Sequence, residues 1–258
     1  MDMDNRIVVI TGAGISVDSG IQPFRGKNGL WNENPTAMAS YEKFCDDPAH
    51  FLSWYYHRFV SCKDAIPNAT HEILAANNIR VISQNVDNLH IKAGHDTARL
   101  IEIHGNINYK RKIPVTHRED LVLANWDAVN GLAADTDLSS KPNINDPLVQ
   151  GLFELFHIGK NGQIDFEHSF RPHILLFDEY YSELYESEIA LDWVKEAETV
   201  IFMGTSNSVG ITNMVLESAL RGRKEIKVVD PNPAPSFRFP GIEIIESSAM
   251  NFCTQYFK

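Results

Sequence analysis

Short, unbroken apolar runs recur along the chain, at residues 6–11, 79–83, 100–104, 174–177, 199–203, 226–230 and 243–246. Apolar runs of this length without alternation are how strands buried on both faces read. Most end in a polar or glycine-rich turn, at the edge of an open α/β sheet where ligands gather. Helical patterns lie between them. Residues 48–62 carry Phe51, Leu52, Tyr55, Tyr56 and Phe59 at helical spacing, and 71–77, 187–197 and 211–221 repeat the pattern. The alternation predicts an α/β fold built on a doubly wound, Rossmann-like parallel sheet.

Two segments break the rhythm. Residues 30–68 show only helical and loop signals, and 106–170 is polar and irregular before a short helical pattern near 148–156. An excursion of about 60 residues is too long for a plain loop in a compact domain. The expected division is a discontinuous nucleotide-binding domain of residues 1–30, 69–105 and 171–258, with 31–68 and 106–170 forming a smaller module over the cleft. Leu152, Phe153, Leu155 and Phe156 are that module's expected core.

The 258 residues are 43% hydrophobic and 22% charged, an ordinary globular balance, with a net charge of −11. That sign argues against DNA or RNA as a partner. It leaves open a cationic partner, such as a lysine-rich protein segment, or solubility alone. The three cysteines, Cys45, Cys62 and Cys253, are widely spaced and form no CxxC pair, so neither a disulfide framework nor a sulfur-rich metal site is expected. No run approaches the ~20 apolar residues of a membrane helix. The first apolar run, about five residues, is too short for a signal peptide. A cytoplasmic location without membrane association is the expectation.

The first strand runs into Thr11-Gly12-Ala13-Gly14-Ile15-Ser16 and then a helical pattern, a layout that brings backbone N–H groups and a helix N-terminus to one point suited to a pyrophosphate. A dehydrogenase fingerprint would need a third glycine at position 17, where Val17 stands. A tight turn alone would also explain two glycines. Two further clusters, Ser83-Gln84-Asn85-Val86-Asp87-Asn88-Leu89-His90 and Glu102-Ile103-His104-Gly105, supply polar groups beyond what nucleotide binding requires. A histidine that closes a strand is often structural. Beside a nucleotide turn, His104 can instead take a proton from a ribose hydroxyl, because imidazole titrates near neutrality.

The ordered string of motifs is more specific. Gly12-Ala13-Gly14-Ile15-Ser16, Ser19-Gly20-Ile21, Phe24-Arg25-Gly26 and Gly29-Leu30-Trp31 resemble the opening of the sirtuin (Sir2) family of NAD-dependent protein deacylases. The resemblance continues through Pro67-Asn68 to His71, Gln84 to His90, His104-Gly105, Arg171-Pro172-His173, Phe177-Asp178-Glu179, Gly204-Thr205-Ser206 and a strand ending at Asp230. It covers residues 6–105 and 171–250, and 106–170 carries none of it.

This resemblance implies roles. His104 is the general base, with Asn85 as its catalytic partner. The acyl-lysine carbonyl oxygen attacks C1′ of the nicotinamide ribose, and nicotinamide leaves. His104 then activates a ribose hydroxyl, which takes the acyl group onto ADP-ribose. Gln84 and Asn85 order the ribose and a nearby water, and Asp87 accepts from the nicotinamide carboxamide. Phe24 shields the ribose from water, and Arg25 places a cation near ribose and phosphate. Gly12, Ala13, Gly14, Ser16, Gly204, Thr205 and Ser206 surround the phosphates, Asp230 accepts from a ribose, and Ala249 flanks the adenine.

Three departures stand out. Most sirtuins carry two cysteine pairs between the His-Gly and Arg-Pro motifs, where this chain has none, so no structural zinc is expected. Relatives have Phe-Gly-Glu at Phe177-Asp178-Glu179 and Val-x-Pro at Val209-Gly210-Ile211, the edges between which an acyl-lysine peptide adds as a strand. Tyr55 and Arg58, on one helix face and twelve residues before the Pro67 motif, match the Tyr-x-x-Arg of sirtuins that accept succinyl- and malonyl-lysine. A surface helix with one inward aromatic would give the same spacing. The leading expectation is an NAD-dependent lysine deacylase acting on an acylated protein or peptide. A sirtuin-like NAD hydrolase or ADP-ribosyltransferase and a non-catalytic NAD or ADP-ribose sensor are its rivals.

Overall fold

The computed structural model describes residues 6–22, 35–113, 117–132 and 142–257. Phe24 and Arg25 lie outside these residues. The strands, in chain order, are β1 Ile7–Thr11, β2 Arg80–Ser83, β3 Leu100–Glu102, β4 Gly105–Lys112, β5 Val122–Leu123, β6 Phe170–Ile174, β7 Thr199–Met203, β8 Glu225–Val229 and β9 Ile242–Ile245. The chain forms two compact units, Met1–Leu30 with Ala65–His104 and Tyr181–Lys258, and Trp31–Asp64 with Gly105–Tyr180.

The first unit is a six-stranded parallel sheet in the order β3-β2-β1-β7-β8-β9. Its central strands β1 and β7 are almost wholly buried and apolar because both faces are covered, whereas the edge strand β9 is only partly buried. Side chains alternate across each strand. Val8 and Ile10 of β1 join Ile82, Val200, Phe202 and Val228 under the helices Ser187–Glu196 and Gly210–Arg221. Val9 faces the other way and packs with Val81, Ile201, Met203, Leu74 and Phe252. Strand order reverses between β1 and β7, and the crevice beyond the carboxyl ends of such a pair is where doubly wound sheets bind ligands. The expected helix after Gly12 is a tighter 3-10 segment, Ala13–Ser19, stopped by Gly20 at φ 83.

The second unit holds a three-stranded antiparallel sheet, β5-β4-β6. Leu152, Phe153, Leu155 and Phe156 are all buried, as expected from the helical pattern, and they belong to or follow the helix Pro147–Leu155. Trp126 stacks on Phe59 at 4.4 Å, and its indole N–H donates to the Ile107 carbonyl at 3.0 Å.

The apolar run at 174–177 is not a member of the parallel sheet. The strand lies earlier, as β6, and pairs antiparallel with β4 from Ile174 opposite Gly105 to Phe170 opposite Lys112. It ends at Ile174 because the backbone turns toward a carboxylate. The Leu176 N–H donates to Glu179 at 3.0 Å instead of to a neighbouring strand. Residues 171–180 therefore fall in the second unit, not the first, and the seam lies at Tyr180/Tyr181. No helix among the described residues is long and apolar enough to cross a membrane.

Candidate active site

Three glycines bring two loops of the first unit into backbone contact. A Cβ at Gly12 would stand 2.7 Å from the Gly204 carbonyl oxygen, and one at Gly14 would stand 2.7 Å from the Gly204 Cα. Gly204 itself has φ +60, and a Cβ there would meet the Ile15 nitrogen at 2.7 Å. The turn after β1 and the turn after β7 thus abut backbone to backbone, with the Thr205 Cβ against Gly12. The expectation of a turn with bare N–H groups needs correction at two positions. Gly12 N–H donates to the Met203 carbonyl at 3.1 Å and Gly14 N–H to the Gly204 carbonyl at 2.9 Å. These donors bind turn to turn.

Beside that contact lies a buried polar chain. Asn85 Nδ2 donates to the Gly12 carbonyl at 3.1 Å and to Ser16 Oγ at 3.0 Å. Ser16 Oγ in turn donates to Asp87 Oδ2 at 2.7 Å, and Asp87 Oδ1 accepts the Leu89 N–H at 3.0 Å. Ser16, Asn85 and Asp87 are all buried. Asn85 has spent both amide hydrogens, so its carbonyl oxygen is the group it offers a ligand. An ionised carboxylate has about four acceptor positions, so Asp87 keeps capacity beyond its two bonds. Gln84 Nε2 donates to Thr205 Oγ1 at 3.2 Å, and Gln84 Oε1 accepts from Thr212 at 3.3 Å. Asn68 fastens the 3-10 segment from behind, donating to the Ile15 carbonyl at 2.8 Å and to Ser19 Oγ at 3.0 Å.

His104 follows β3. Its Nδ1 lies 2.9 Å from the Gln84 carbonyl, an acceptor only, so Nδ1 carries the proton and Nε2 the lone pair. Nε2 lies 3.0 Å from the Tyr181 hydroxyl, which donates to it. Desolvation lowers the His104 pKa to about 4, with the Gln84 hydrogen bond opposing it, and the ring is neutral at pH 7. Tyr181 was not among the residues singled out from sequence. A Tyr180-Tyr181 pair after Phe177-Asp178-Glu179 is visible there, but its meeting with a histidine 77 positions away is not. Behind the sheet ends, His71, His90 and His95 form a buried row, with ring centroids 4.9 and 5.5 Å apart. Thr11 Oγ1 meets His90 Nε2 at 3.2 Å, so His90 is part of the support under β1.

The outer candidates are more open. Ser206 and Ser208 hydroxyls meet at 2.8 Å on the exposed part of the loop after β7. Asp230 follows β8 and accepts the Asn232 N–H at 2.8 Å. Ala249 opens the helix Ala249–Tyr256, capped by Ser248, and packs partly against the core.

The candidate substrate residues fall in both units. Val209 precedes the helix Gly210–Arg221 in the first unit and provides no side-chain cap. In the second unit Tyr55 is buried, stacked on Phe51 at 6.3 Å and near Trp126 at 6.1 Å. Arg58 lies on the same helix, Pro48–Lys63, and is partly exposed. Phe177 is exposed, and its N–H donates to the Ala39 carbonyl at 3.0 Å. Asp178 does not simply add a charge. Its carboxylate accepts the N–H groups of Tyr41 at 2.6 Å and Glu42 at 3.0 Å, at the start of the helix Tyr41–Asp46, where negative charge is stabilised. Glu179 binds Arg111 at 3.0 Å and the buried Arg171 at 2.5 Å.

The Sir2 family matches residues 12–210 of the chain. An NAD-dependent deacetylase of Dictyostelium discoideum, sir2E, is 34% identical over 240 residues, 86% of this chain and 64% of that relative, so the chain spans less than two thirds of its length. An NAD-dependent protein deacylase of Bacteroides thetaiotaomicron is 30% identical over 249 residues, 95% of this chain and 93% of the relative. Among solved structures, a mutant Sir2 homologue in complex with ADP-ribose superposes with a TM-score of 0.75 at 25% identity, covering 99% of this chain and 92% of that one.

Proposed function

The chain belongs to the Sir2 family, and from that premise we propose that it is an NAD-dependent protein lysine deacylase, with the residues around His104 as its reaction centre. His104 carries this reading. Its one lone pair sits at Nε2, fixed by the Gln84 carbonyl at Nδ1, so it can accept a proton at a single defined atom.

The residues present suit NAD. Gly12, Gly14 and Gly204 let the turns after β1 and β7 close on each other at the strand-order reversal, and Asn85 and Asp87 stand beside them with acceptor capacity left. When bound, NAD supplies a ribose whose bond to nicotinamide breaks as the acyl oxygen arrives at C1′. Asn85 Oδ1 accepts from that ribose, and Asp87 accepts from the departing carboxamide. His104 takes a proton from a ribose hydroxyl, which frees that oxygen to receive the acyl group. Thr205 and Ser206 would hold the phosphates, Asp230 a ribose and Ala249 the adenine.

Val209 and Phe177 are each peptide-contact residues in this reading, and Arg58 would pair with an acyl carboxylate where the acyl group carries one. The Asp178 carboxylate is already engaged as a helix cap, so its presence in place of glycine gives no reason to favour hydrolysis over deacylation. No cysteine lies between Cys62 and Cys253, so the chain offers no thiolates for a structural zinc in that stretch.

The deciding experiment incubates the protein with NAD and acetyl-, succinyl- and longer acyl-lysine peptides, with products identified by mass spectrometry. Peptide-dependent acyl-ADP-ribose is expected, and His104→Ala should reduce its formation by about 10²–10⁴-fold. Free ADP-ribose formed equally fast without peptide would make the protein an NAD hydrolase. Binding without turnover would leave a sensor.

A further inference from the structure

A neutral imidazole has one lone pair, and in this site it is already engaged. Nδ1 of His104 is bound to the Gln84 carbonyl, and Nε2 receives the Tyr181 hydroxyl at 3.0 Å. A ribose hydroxyl can reach that lone pair only by displacing Tyr181 or by acting through it.

Displacement is opposed from three directions. The phenol ring lies nearly parallel to the imidazole, with centroids 5.9 Å apart and planes at 28°. Tyr181 packs partly buried against the core cluster beneath the helix Gly210–Arg221. Its oxygen accepts the Ile211 N–H at 3.3 Å. That N–H is one of the donors a helix start leaves without an intrahelical partner. Val209, the residue at the cap, supplies no side chain to it, so Tyr181 takes the place of a cap. Swinging the phenol away would strand that donor, expose the ring and break the bond to His104 together.

The oxygen is also equipped to pass a proton. A phenol has one hydrogen and two acceptor positions. The hydrogen goes to Nε2 and one acceptor position to Ile211, which leaves one for a hydroxyl of the substrate. The Ile211 N–H, at the positive end of a helix, stabilises negative charge that develops on the oxygen during transfer. Burial works the other way and raises the Tyr181 pKa, so the resting group is the protonated phenol, as a relay requires.

We propose that the Tyr181 hydroxyl is a proton relay, a second catalytic residue through which His104 deprotonates the ribose. The proposal rests on the reading of His104 as the base. The ribose O–H bond breaks and its proton bonds to the Tyr181 oxygen, while the proton already on that oxygen moves to Nε2. The electron pair left on the ribose oxygen forms the bond to the acyl carbon, whose C–N π pair moves onto the lysine nitrogen. Tyr181 ends neutral and His104 ends as imidazolium, donating from Nδ1 to the Gln84 carbonyl and from Nε2 back to the Tyr181 oxygen. Every hydrogen-bonding position is filled before and after the transfer.

The test is Tyr181→Phe in the full chain, which keeps the ring and removes only the hydroxyl. In the protein without ligands, ¹⁵N spectra of His104 should show the Nε2 resonance moving and the titration midpoint rising, because a hydrogen bond that favoured the neutral ring is gone. With NAD and an acyl-lysine peptide, nicotinamide release and exchange should persist, since that bond breaks before the base acts. Formation of acyl-ADP-ribose should fall about 10²-fold or more. Persistent exchange also certifies that the variant is folded and binds both substrates. A variant that forms acyl-ADP-ribose at the parent rate, or faster, would overturn the relay and leave His104 acting directly on the ribose. An unmoved Nε2 resonance would equally overturn it. A parent protein that makes no acyl-ADP-ribose at all would instead bring down the functional reading beneath it.

Discussion

Ser16 donates its hydroxyl hydrogen to the Asp87 carboxylate at 2.7 Å, joining the turn after β1 to the loop after β2 across 71 residues of chain. The same oxygen accepts from Asn85 at 3.0 Å. Ser16→Ala would strip a partner from two buried polar groups at once. Leaving such groups unsatisfied costs about 1–3 kcal/mol each way they are counted. Urea denaturation of the variant should show a midpoint lowered by that order, and calorimetry should show weaker NAD binding. A variant with parent-like midpoint and affinity would mean that water replaces the serine and that the chain of bonds organises nothing.

Acid should destabilise the fold well before carboxylates titrate. Desolvation lowers the pKa of His71, His90, His95, His104 and His173, the last two to about 4 and about 3, with Arg111, Arg118 and Arg171 adding to the effect at His173. Unfolded histidine titrates near 6.5. Between that value and the lowered ones, the unfolded chain binds protons that the folded chain refuses. The stabilisation from keeping these rings neutral is therefore complete above about pH 6.5 and is lost as pH falls toward 4. Urea midpoints should hold from pH 7.5 to about 6.5 and decline below that toward pH 5, and a flat profile down to pH 5 would contradict the burial of these rings.

Tyr55 and Arg58 should separate in their effects. Tyr55 is 2% exposed within an aromatic cluster, whereas Arg58 is partly exposed on the same helix. A hydrogen bond to a charged group contributes about 1.5–3 kcal/mol. Arg58→Met is therefore expected to lower kcat/KM on succinyl-lysine peptides by roughly ten- to a hundred-fold with deacetylation nearly unchanged. Equal losses on both substrates would remove the proposed acyl-carboxylate contact. Truncation of Tyr55 should show first as lost stability.

Much of the first unit was legible along the chain. Six of the seven apolar runs read as buried strands are strands of the parallel sheet, because a strand covered on both faces writes its burial into adjacent residues. The seventh, at 174–177, was misread for the same reason. Apolar character reports burial, and Leu176 is buried at 2% exposure without being in a strand, its N–H bound to Glu179. The polar clusters at Gln84–Asp87 and at His104 stood out because they follow strand ends. The boundary between the two units lies at Tyr180/Tyr181, about ten residues beyond the one the chain's composition suggests, since nothing in 171–180 marks it as continuing from the antiparallel sheet.

By itself the sequence determined the fold class, the family and the glycine turn, and it singled out His104 as the candidate base. Each of these is carried by short-range pattern, apolar runs, turn chemistry and ordered motifs, which survive being read one segment at a time. Only the tertiary structure decided which groups those residues meet. It spent the N–H groups of Gly12 and Gly14 on the loop after β7, turned Asp178 into a helix cap, and set the Tyr181 hydroxyl on the one lone pair of His104. Hydrogen-bond partners far apart in the chain are chosen by the order of the strands in the sheet, and a parallel sheet whose strand order reverses between β1 and β7 brings residues 104, 181 and 211 to one oxygen atom in a way that no local pattern encodes.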